Sequence, residues 1–321
     1  MKKFTIGLLT LFIYTNAYCW GFYGHQKINY FAVFLLPPEM ISFYKKHIDF
    51  ISSHAVDPDK RRYAIKEEGP RHYIDIDRYG SFPYPGLPRK YDSAIACYSE
   101  DTIQTHGIVP WWIQIMQARL IKAFKTKDAA NILKISAEIG HYISDAHVPL
   151  HTSHNHNGQY SGQHGIHGFW ESRIPELLAE KSFNFWIGTA NYLYRTDQFI
   201  WDRVLESAAA ADTVLKTEKA LSMVFPADQK YSFEDRNGII SRQYSTAYTI
   251  RYNEMLNGMV ERRMRQSIYA VASFWYSAWV DAGQPDLNTI EKQLLSEEEK
   301  KEIEELNRIW KEGKMRGRSC D

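Results

Sequence analysis

Apolar residues recur at helical spacing along most of the chain, and polar residues fill the positions between them. This pattern predicts a mainly helical protein, because apolar side chains three and four residues apart share one face of a helix. No run of strict two-residue alternation bounded by hairpin turns indicates a sheet, so the predicted fold class is all-α. The predicted helices cover residues 24–36, 39–47, 110–124, 128–145, 169–180, 190–210, 212–224 and 242–282.

Three segments lack this periodicity and are predicted to be loops. Residues 53–88 are rich in proline, glycine, aspartate, arginine and tyrosine, residues 152–168 in glycine, histidine and asparagine, and residues 226–240 separate two helices. A connection as long as the first is uncommon in a compact domain unless it has a function. We therefore expect residues 53–88 to contribute to a functional site.

The chain changes character after Gly283-Gln284-Pro285, where the sequence becomes highly charged. Ser296 and Glu299 have the spacing of a helix-capping box. A narrow apolar stripe of Ile303, Leu306 and Trp310 follows. We expect one main domain at residues 20–285 and a charged helical extension, residues 286–321, packed against it.

The first residues have the pattern of a secretory signal. Two lysines precede an apolar run over residues 4–14, and Ala17-Tyr18-Cys19 places small residues where signal peptidase cuts. We expect a signal peptide at residues 1–19 and a secreted or periplasmic protein that begins at Trp20. A lipoprotein acylated at Cys19 is the alternative, but Asn16-Ala17-Tyr18 lacks the aliphatic residue expected there. The run is too short to span a membrane, and no later segment is suited to it.

Composition narrows the possible functions. The 321 residues carry a net charge of +1 at pH 7 and are 44% hydrophobic, so the chain can bury a large core. A near-neutral chain produces no long-range field that attracts nucleic acid or anionic lipid, so phosphate recognition must be local. Only Cys97 and Cys320 remain after signal cleavage, and they permit one disulfide without requiring it.

Two histidine–carboxylate pairs lie near the middle of the chain. His141 and Asp145 stand four residues apart in a predicted helix, and His167 and Glu171 repeat this spacing. Residues four apart project from the same helix face. A proline ends the first helix, which lets the chain bring His151 back toward the pair. Imidazole and carboxylate groups without a nearby cysteine are typical ligands of a catalytic zinc ion.

The motif His141-Tyr-x-x-Asp145-x-x-x-Pro149-x-His151-x-x-x-Asn155 resembles the signature of the zinc-dependent phospholipase C family. The superfamily also includes the fungal-type single-strand-specific nucleases. The resemblance implies a helical domain with three zinc ions at the bottom of a cleft between helices. It also implies that the amino and carbonyl groups of an N-terminal tryptophan bind one of these ions.

Candidates for every implied ligand position are present, including Trp20 and His25 near the predicted terminus, and Asp57 and His72 in the long loop. The resemblance implies one zinc held by Asp57, His72, His141 and Asp145, a second by Trp20, His25 and the bridging Asp145, and a third by His151, His167 and Glu171. It further implies an in-line attack on phosphorus by a hydroxide that bridges two zinc ions. Asp57 either orients or deprotonates the attacking water, or serves as a ligand only.

Ligand spacing does not decide the substrate. The choice of Glu171 and the gap from His151 to His167 resemble the phospholipase branch, whereas Trp20 to His25 and Asp57 to His72 resemble the nuclease branch. We take a phospholipase C-like phosphodiesterase as the leading interpretation, with a single-strand-specific nuclease as the alternative. A non-catalytic zinc-binding protein is a third hypothesis from another class. A phosphodiester substrate is the expected partner, and the chain is expected to be a monomer without stable membrane insertion.

Several other residues are candidates for lesser roles. Arg71, beside a predicted ligand, is expected to contact phosphate or form a surface ion pair, and His106 and His147 are candidates to orient ligands. Aromatic residues predicted to belong to the core are Trp111, Trp112, Phe274, Trp275 and Trp279. Aromatic residues near the ligand motifs, of which one or two are expected to stack on a base or shield a headgroup, are Tyr23, Tyr73, Tyr79, Tyr84 and Phe169.

Overall fold

The computed structural model describes residues 21–236, 239–290, 296–313 and 315–316. The predicted signal peptide, Trp20 and Cys320 lie outside these residues. The described chain is mainly helical, which confirms the predicted fold class. Its helices are α1 (Gly21–Val33), α2 (Pro38–Lys46), α3 (Ile48–Ser53), α4 (Asp57–Arg61), α5 (Tyr91–Tyr98), α6 (Glu100–His106), α7 (Val109–Lys125), α8 (Ala129–Asp145), α9 (Ile166–Gly168), α10 (Ile174–Ser182), α11 (Thr196–Val224), α12 (Thr246–Met255), α13 (Met259–Asp281) and α14 (Glu297–Lys311).

Helix α8 lies at the centre of the fold, where it packs against α1, α7 and α13. Its start is fixed by Asp128, whose side chain accepts a hydrogen bond from the Asn131 backbone amide at 3.1 Å. The indole of Trp275 on α13 donates a hydrogen bond to the carbonyl oxygen of Ser136 on α8 at 3.0 Å. Tyr44 stacks on the Trp275 ring with centroids 5.0 Å apart. The indole N–H of Trp275 is thus hydrogen-bonded while both rings fill the core.

The five aromatic residues that were predicted to belong to the core are buried. They lie on the inner faces of α7 and α13. Among the described residues, no helix has both the length and the apolar character needed to cross a membrane. The predicted long loop is built largely from short helical turns. Such turns cover His54–Val56, Lys66–His72 and Ile76–Tyr79. Outside this loop, a further turn covers Pro149–Thr152 and a π-helical segment covers Phe169–Arg173.

A small hairpin contradicts the expectation that the chain forms no sheet. Strands β1 (Tyr231–Arg236) and β2 (Ile239–Tyr244) pair antiparallel, with Tyr231 opposite Tyr244. A hairpin signal is present in the sequence, because Asn237-Gly238 between two short β-prone runs favours a tight turn. The prediction of a loop to residue 240 and a helix from residue 242 was therefore wrong.

Some helix boundaries also differ from the predictions. The two helices expected over residues 190–224 are one helix, α11, which begins at Thr196. The long helix expected over residues 242–282 is divided into α12 and α13, because Asn257 and Gly258 adopt left-handed backbone conformations that end a helix. Helices α5 and α6 are short and carry little amphipathic pattern, and they were not predicted.

The capping box at the start of α14 is present as predicted. The Ser296 hydroxyl accepts a hydrogen bond from the Glu299 amide at 3.1 Å, and the Glu299 carboxylate accepts one from the Ser296 amide at 2.8 Å. Helix α14 packs against α4. The division into a main domain at residues 20–285 and an extension at residues 286–321 stays a prediction.

Candidate metal centre

A close approach of α1 and α8 brings the first two histidines of the site together. Gly140 lies where an added Cβ would collide with the side chain of Asn29, so only glycine permits this spacing. The Asn29 amide donates to the carbonyl oxygens of Ile51 and Ala137 at 3.2 and 2.9 Å. The rings of His25 and His141 consequently stack with centroids 3.8 Å apart.

Asp145, in the last turn of α8, lies at the centre of a ring of imidazoles. Its Oδ2 atom is 3.2 Å from Nε2 of His141 and 3.0 Å from Nδ1 of His72. Its Oδ1 atom is 3.5 Å from Nε2 of His25 and 3.8 Å from Nδ1 of His151. One carboxylate therefore presents its two oxygens to different histidines, which is the arrangement that a bridging ligand requires.

Hydrogen bonds fix the orientation of these rings. Nδ1 of His141 donates to the Ala55 carbonyl oxygen at 2.8 Å, and Nδ1 of His25 lies 2.9 Å from the Ser144 hydroxyl. The Nε2 atoms of both rings consequently face Asp145. A hydrogen bond at one ring nitrogen that leaves the other for a metal is the usual arrangement of histidine ligands.

Asp59, rather than the predicted Asp57, joins this cluster. The Oδ1 atom of Asp59 lies 3.7 Å from Nδ1 of His72 and 3.8 Å from Nε2 of His141. The carboxylate of Asp57 instead accepts hydrogen bonds from His54 at 2.5 Å and Lys60 at 3.1 Å. Both aspartates belong to α4, where side chains two residues apart point about 200° away from each other, so only one can face the cluster.

A second part of the site contains His151, His167 and Glu171, the three residues predicted to act together. Oε2 of Glu171 is 3.3 Å from Nε2 of His151 and 3.1 Å from Nε2 of His167. Nδ1 of His151 donates to the carbonyl oxygen of His72 at 2.5 Å, which ties this group to the first. Glu171 lies in the π-helical segment, an irregularity that is frequent at functional sites.

The buried donor atoms fit metal ions. In the described part of the chain, three groups of potential ligands have donor atoms close enough to share an ion: His25, His141 and Asp145; Asp59, His72 and His141; and His151, His167 and Glu171. Nε2 of His25 and both carboxylate oxygens of Asp59 and of Glu171 are buried without a hydrogen-bond partner among the described residues. Each such atom costs about 1–3 kcal/mol unless something satisfies it. Cations bound between these atoms would satisfy them.

The local charges hold His25 neutral and Asp145 ionised, as metal binding requires, and favour a positive charge on His141 in the absence of a metal. Burial and the neighbouring His141 hold the pKa of His25 well below its usual range. Burial opposes ionisation of Asp145, but His141 and His151 hold its pKa well below the usual range. Burial also lowers the pKa of His141, yet Asp145 and Asp59 outweigh it and raise that pKa to about 9. The carboxylates therefore stabilise positive charge strongly at this place.

Glu68 is a buried residue of the site that the sequence analysis missed. Its carboxylate accepts hydrogen bonds from Arg71 at 2.6 Å, from Arg61 at 3.2 Å and from the Tyr142 hydroxyl. Its Oε1 atom lies 3.5 Å from Nε2 of His72. Glu68 and His72 are four residues apart, so the spacing that revealed the other histidine–carboxylate pairs was also present here.

A cavity of about 1240 Å³ lies beside the cluster. Its wall includes Arg71 and Tyr73, which flank His72, and also His156, whose ring centroid is 5.9 Å from that of His167. Further aromatic wall residues are Tyr91, Trp111, Trp112 and Tyr160. Basic wall residues are Lys66, Arg71 and Arg78, and acidic ones are Glu67, Asp75, Glu100 and Asp101. The cavity wall thus combines aromatic side chains, of which Tyr160 is exposed, with little net charge.

Several of the lesser candidates are placed by the structure. His147 is buried and donates from Nδ1 to the Ile143 carbonyl oxygen at 2.7 Å, which fixes its ring within the core. Phe169 stacks on Tyr244 with centroids 3.8 Å apart and is buried, so it is a packing residue. Tyr73 and His106 line the cavity, whereas Tyr23, Tyr79 and Tyr84 do not.

A helical body that buries overlapping groups of imidazole and carboxylate ligands is the architecture of a metal-dependent hydrolase. Residues 20–273 match the model of the family described as S1/P1 Nuclease, so the chain belongs to the S1/P1 nuclease family. No curated protein matches the chain. The family consists of zinc-dependent hydrolases of phosphodiester bonds, which confirms the predicted enzyme class. Of the two predicted substrates, the match favours the nuclease alternative over the phospholipase C-like interpretation.

Proposed function

We propose that the protein is a zinc-dependent nuclease that cleaves single-stranded nucleic acid. The observation that carries this proposal is the large aromatic cavity beside the buried ligand cluster. A phospholipase would need a small headgroup pocket with an apolar rim. A single strand instead needs aromatic surfaces on which unpaired bases stack, since every base offers a π-face.

We propose that the site holds three zinc ions. The first would be bound by Asp59, His72, His141 and Asp145, the second by His25, Asp145 and the terminal amine of Trp20, and the third by His151, His167 and Glu171. Zinc bound in this way supplies positive charge that stabilises the phosphodiester oxygens as negative charge develops on them. The near-neutral net charge of the chain is consistent with this proposal, since the bound metals rather than a basic surface would attract the substrate.

The protein's own residues supply orientation and proton transfer. Asp59 carries two carboxylate oxygens without hydrogen bonds among the described residues, so it is suited to accept a proton from the attacking water. It takes the role that the sequence analysis gave to Asp57. Asp145 keeps the imidazoles of His25, His72 and His141 turned toward one point.

Arg71 and Tyr73 are the substrate-binding residues nearest to the cluster. The Arg71 guanidinium lies 3.9 Å from the Trp112 ring centroid and is hydrogen-bonded to Glu68, so it is held in place before substrate binds. A fixed guanidinium recognises a phosphate group with little loss of entropy. Tyr73 offers a ring to the base of the same nucleotide.

The direct test offers the zinc-loaded protein single-stranded DNA, double-stranded DNA and phosphatidylcholine in parallel. We expect nucleotides from the single strand, slower cleavage of the duplex and no phosphocholine. Removal of zinc with a chelator should abolish cleavage, and added zinc should restore it. Release of phosphocholine without cleavage of DNA would establish the phospholipase instead, and bound zinc without any turnover would establish a non-catalytic protein.

We further propose that the mature protein begins at Trp20, acts outside the cytoplasm and is a monomer. The signal-like first residues and the need for a terminal amine at Trp20 support the first two points. A variant with one residue added before Trp20 should contain fewer zinc ions per chain. An unchanged zinc content would refute the role of the terminal amine.

A further inference from the structure

Helix α14 lies beyond residue 273, where the family match ends, and contacts two segments that carry proposed metal ligands. The Trp310 ring on α14 packs on the Phe22 ring with centroids 5.2 Å apart and planes at 36°. The backbone amide of Arg316, just after this helix, donates to the Arg62 carbonyl oxygen at 2.9 Å. The extension therefore touches both the start of α1 and the end of α4.

These two contacts are close in sequence to the site. Phe22 precedes His25 by three residues in the first turn of α1, and Arg62 follows Asp59 by three residues at the end of α4. Residues three apart in a helix lie about one turn from each other. A shift of either contact would therefore be passed on to a proposed ligand.

Lys60 makes a further connection between α1 and α4. Its ammonium group lies 6.0 Å from the Phe22 ring centroid and donates to Oδ1 of Asp57 at 3.1 Å. The Phe22 ring consequently has both a cation of α4 and the indole of α14 as neighbours. The arrangement holds α1, α4 and α14 together at one point.

Apolar residues that precede Trp310 on α14 face the body across a cavity. Ile303, Leu306 and Ile309 line a cavity of about 390 Å³ between this helix and the body, together with Phe50 and Ile65. Nζ of Lys134 on the body lies 4.0 Å from Oε2 of Glu302 on α14 and forms an ion pair with it. An exposed pair of this kind contributes little to the attachment of α14.

We propose that α14 is a clasp that positions His25 and Asp59, with Trp310 as its positioning residue. The proposal rests on the proposed metal centre. Loosening the clasp should weaken the zinc sites that contain His25 and Asp59, and should spare the group of His151, His167 and Glu171. The effect of Trp310 on His25 and Asp59 passes through the Phe22 ring and α4.

The test compares zinc release from the wild type, W310A, W310F and I303A. Ile303 lies two turns before Trp310 on the same stripe, so I303A also removes apolar volume from the same helix, although less of it. Release into a colorimetric chelator is recorded together with the circular dichroism of each variant. For W310A we expect about tenfold faster release of up to two zinc ions and unchanged release of one, since supporting residues alter metal affinity about 10- to 100-fold.

W310F retains an aromatic ring against Phe22, and together with I303A it should release zinc like the wild type. Release from W310A at the wild-type rate, or equal acceleration in I303A and W310A, would overturn the proposal. A double-mutant cycle with F22L gives a second measure, because the effect of W310A should shrink when Phe22 is already replaced. Additive effects in the cycle would also overturn it. Cleavage of single-stranded DNA by the wild type tests the proposed function separately.

Discussion

Oδ1 of Asp59 lies 3.7 Å from Nδ1 of His72, while the carboxylate of Asp57, two residues earlier, is bound by His54 and Lys60. The two aspartates thus have different roles, although both belong to the same short helix. Burial opposes ionisation of Asp57, but hydrogen bonds and charges of His54 and Lys60 lower its pKa. Asp57 therefore stabilises α4, and Asp59 faces the site.

Replacing Asp59 should remove a metal ligand. We expect D59N to lose zinc and to lower kcat/KM on single-stranded DNA by more than about 100-fold, because loss of a ligand exceeds the effect of a supporting residue. D57N is the matched control and should retain zinc and stay within about fivefold of the wild type. Elemental analysis and initial rates distinguish the two. The reverse order of effects would return the ligand role to Asp57.

Glu68 should support His72 through its contact with Nε2. We expect E68Q to lower zinc affinity about 10- to 100-fold, since removing a carboxylate that faces a ligating imidazole makes the ligand less basic. E138Q is the control, because Glu138 also pairs with Arg61, at 2.6 Å, but unlike Glu68 forms no ion pair with His72 among the described residues. Chelator titration of both variants measures the difference. Equal affinities would show that Glu68 only anchors Arg61 and Arg71.

Arg71 should act on substrate binding rather than on the chemical step. We expect R71K to raise KM for single-stranded DNA about tenfold with kcat within about twofold, because lysine cannot reproduce a stacked guanidinium. R119K is the control, since Arg119 lies 5.0 Å from the same Trp112 ring centroid but does not line the cavity wall. Steady-state kinetics on one oligonucleotide give both constants. A fall in kcat with unchanged KM would contradict this assignment.

Gly140 should be essential for the contact between α1 and α8. We expect G140A to lower the free energy of unfolding by about 1–3 kcal/mol, because the added methyl group collides with the hydrogen-bonded Asn29. Urea unfolding of the zinc-loaded protein measures this loss. G69A is the control, since no described atom lies within 4 Å of a Cβ added there. A stability of G140A equal to that of G69A would show that the two helices can separate without cost.

Much of the site could be predicted from sequence because spacing along a helix fixes direction. His141 and Asp145, and likewise His167 and Glu171, had to share a helix face, and the structure brings each pair together. Asp57 could not be distinguished from Asp59 in this way. They lie in an aperiodic segment, and the direction of each side chain depends on where the short helix α4 begins.

The sequence by itself determined the helical class, the buried aromatic core and the identity of most candidate ligands, because these depend on local periodicity and side-chain chemistry. Tertiary structure decided which aspartate faces His72, that Glu68 supports it, and that Trp310 of the extension reaches Phe22. These contacts join segments distant in sequence. The geometry of these contacts is set by how whole helices pack, and a local pattern of residues does not specify helix packing.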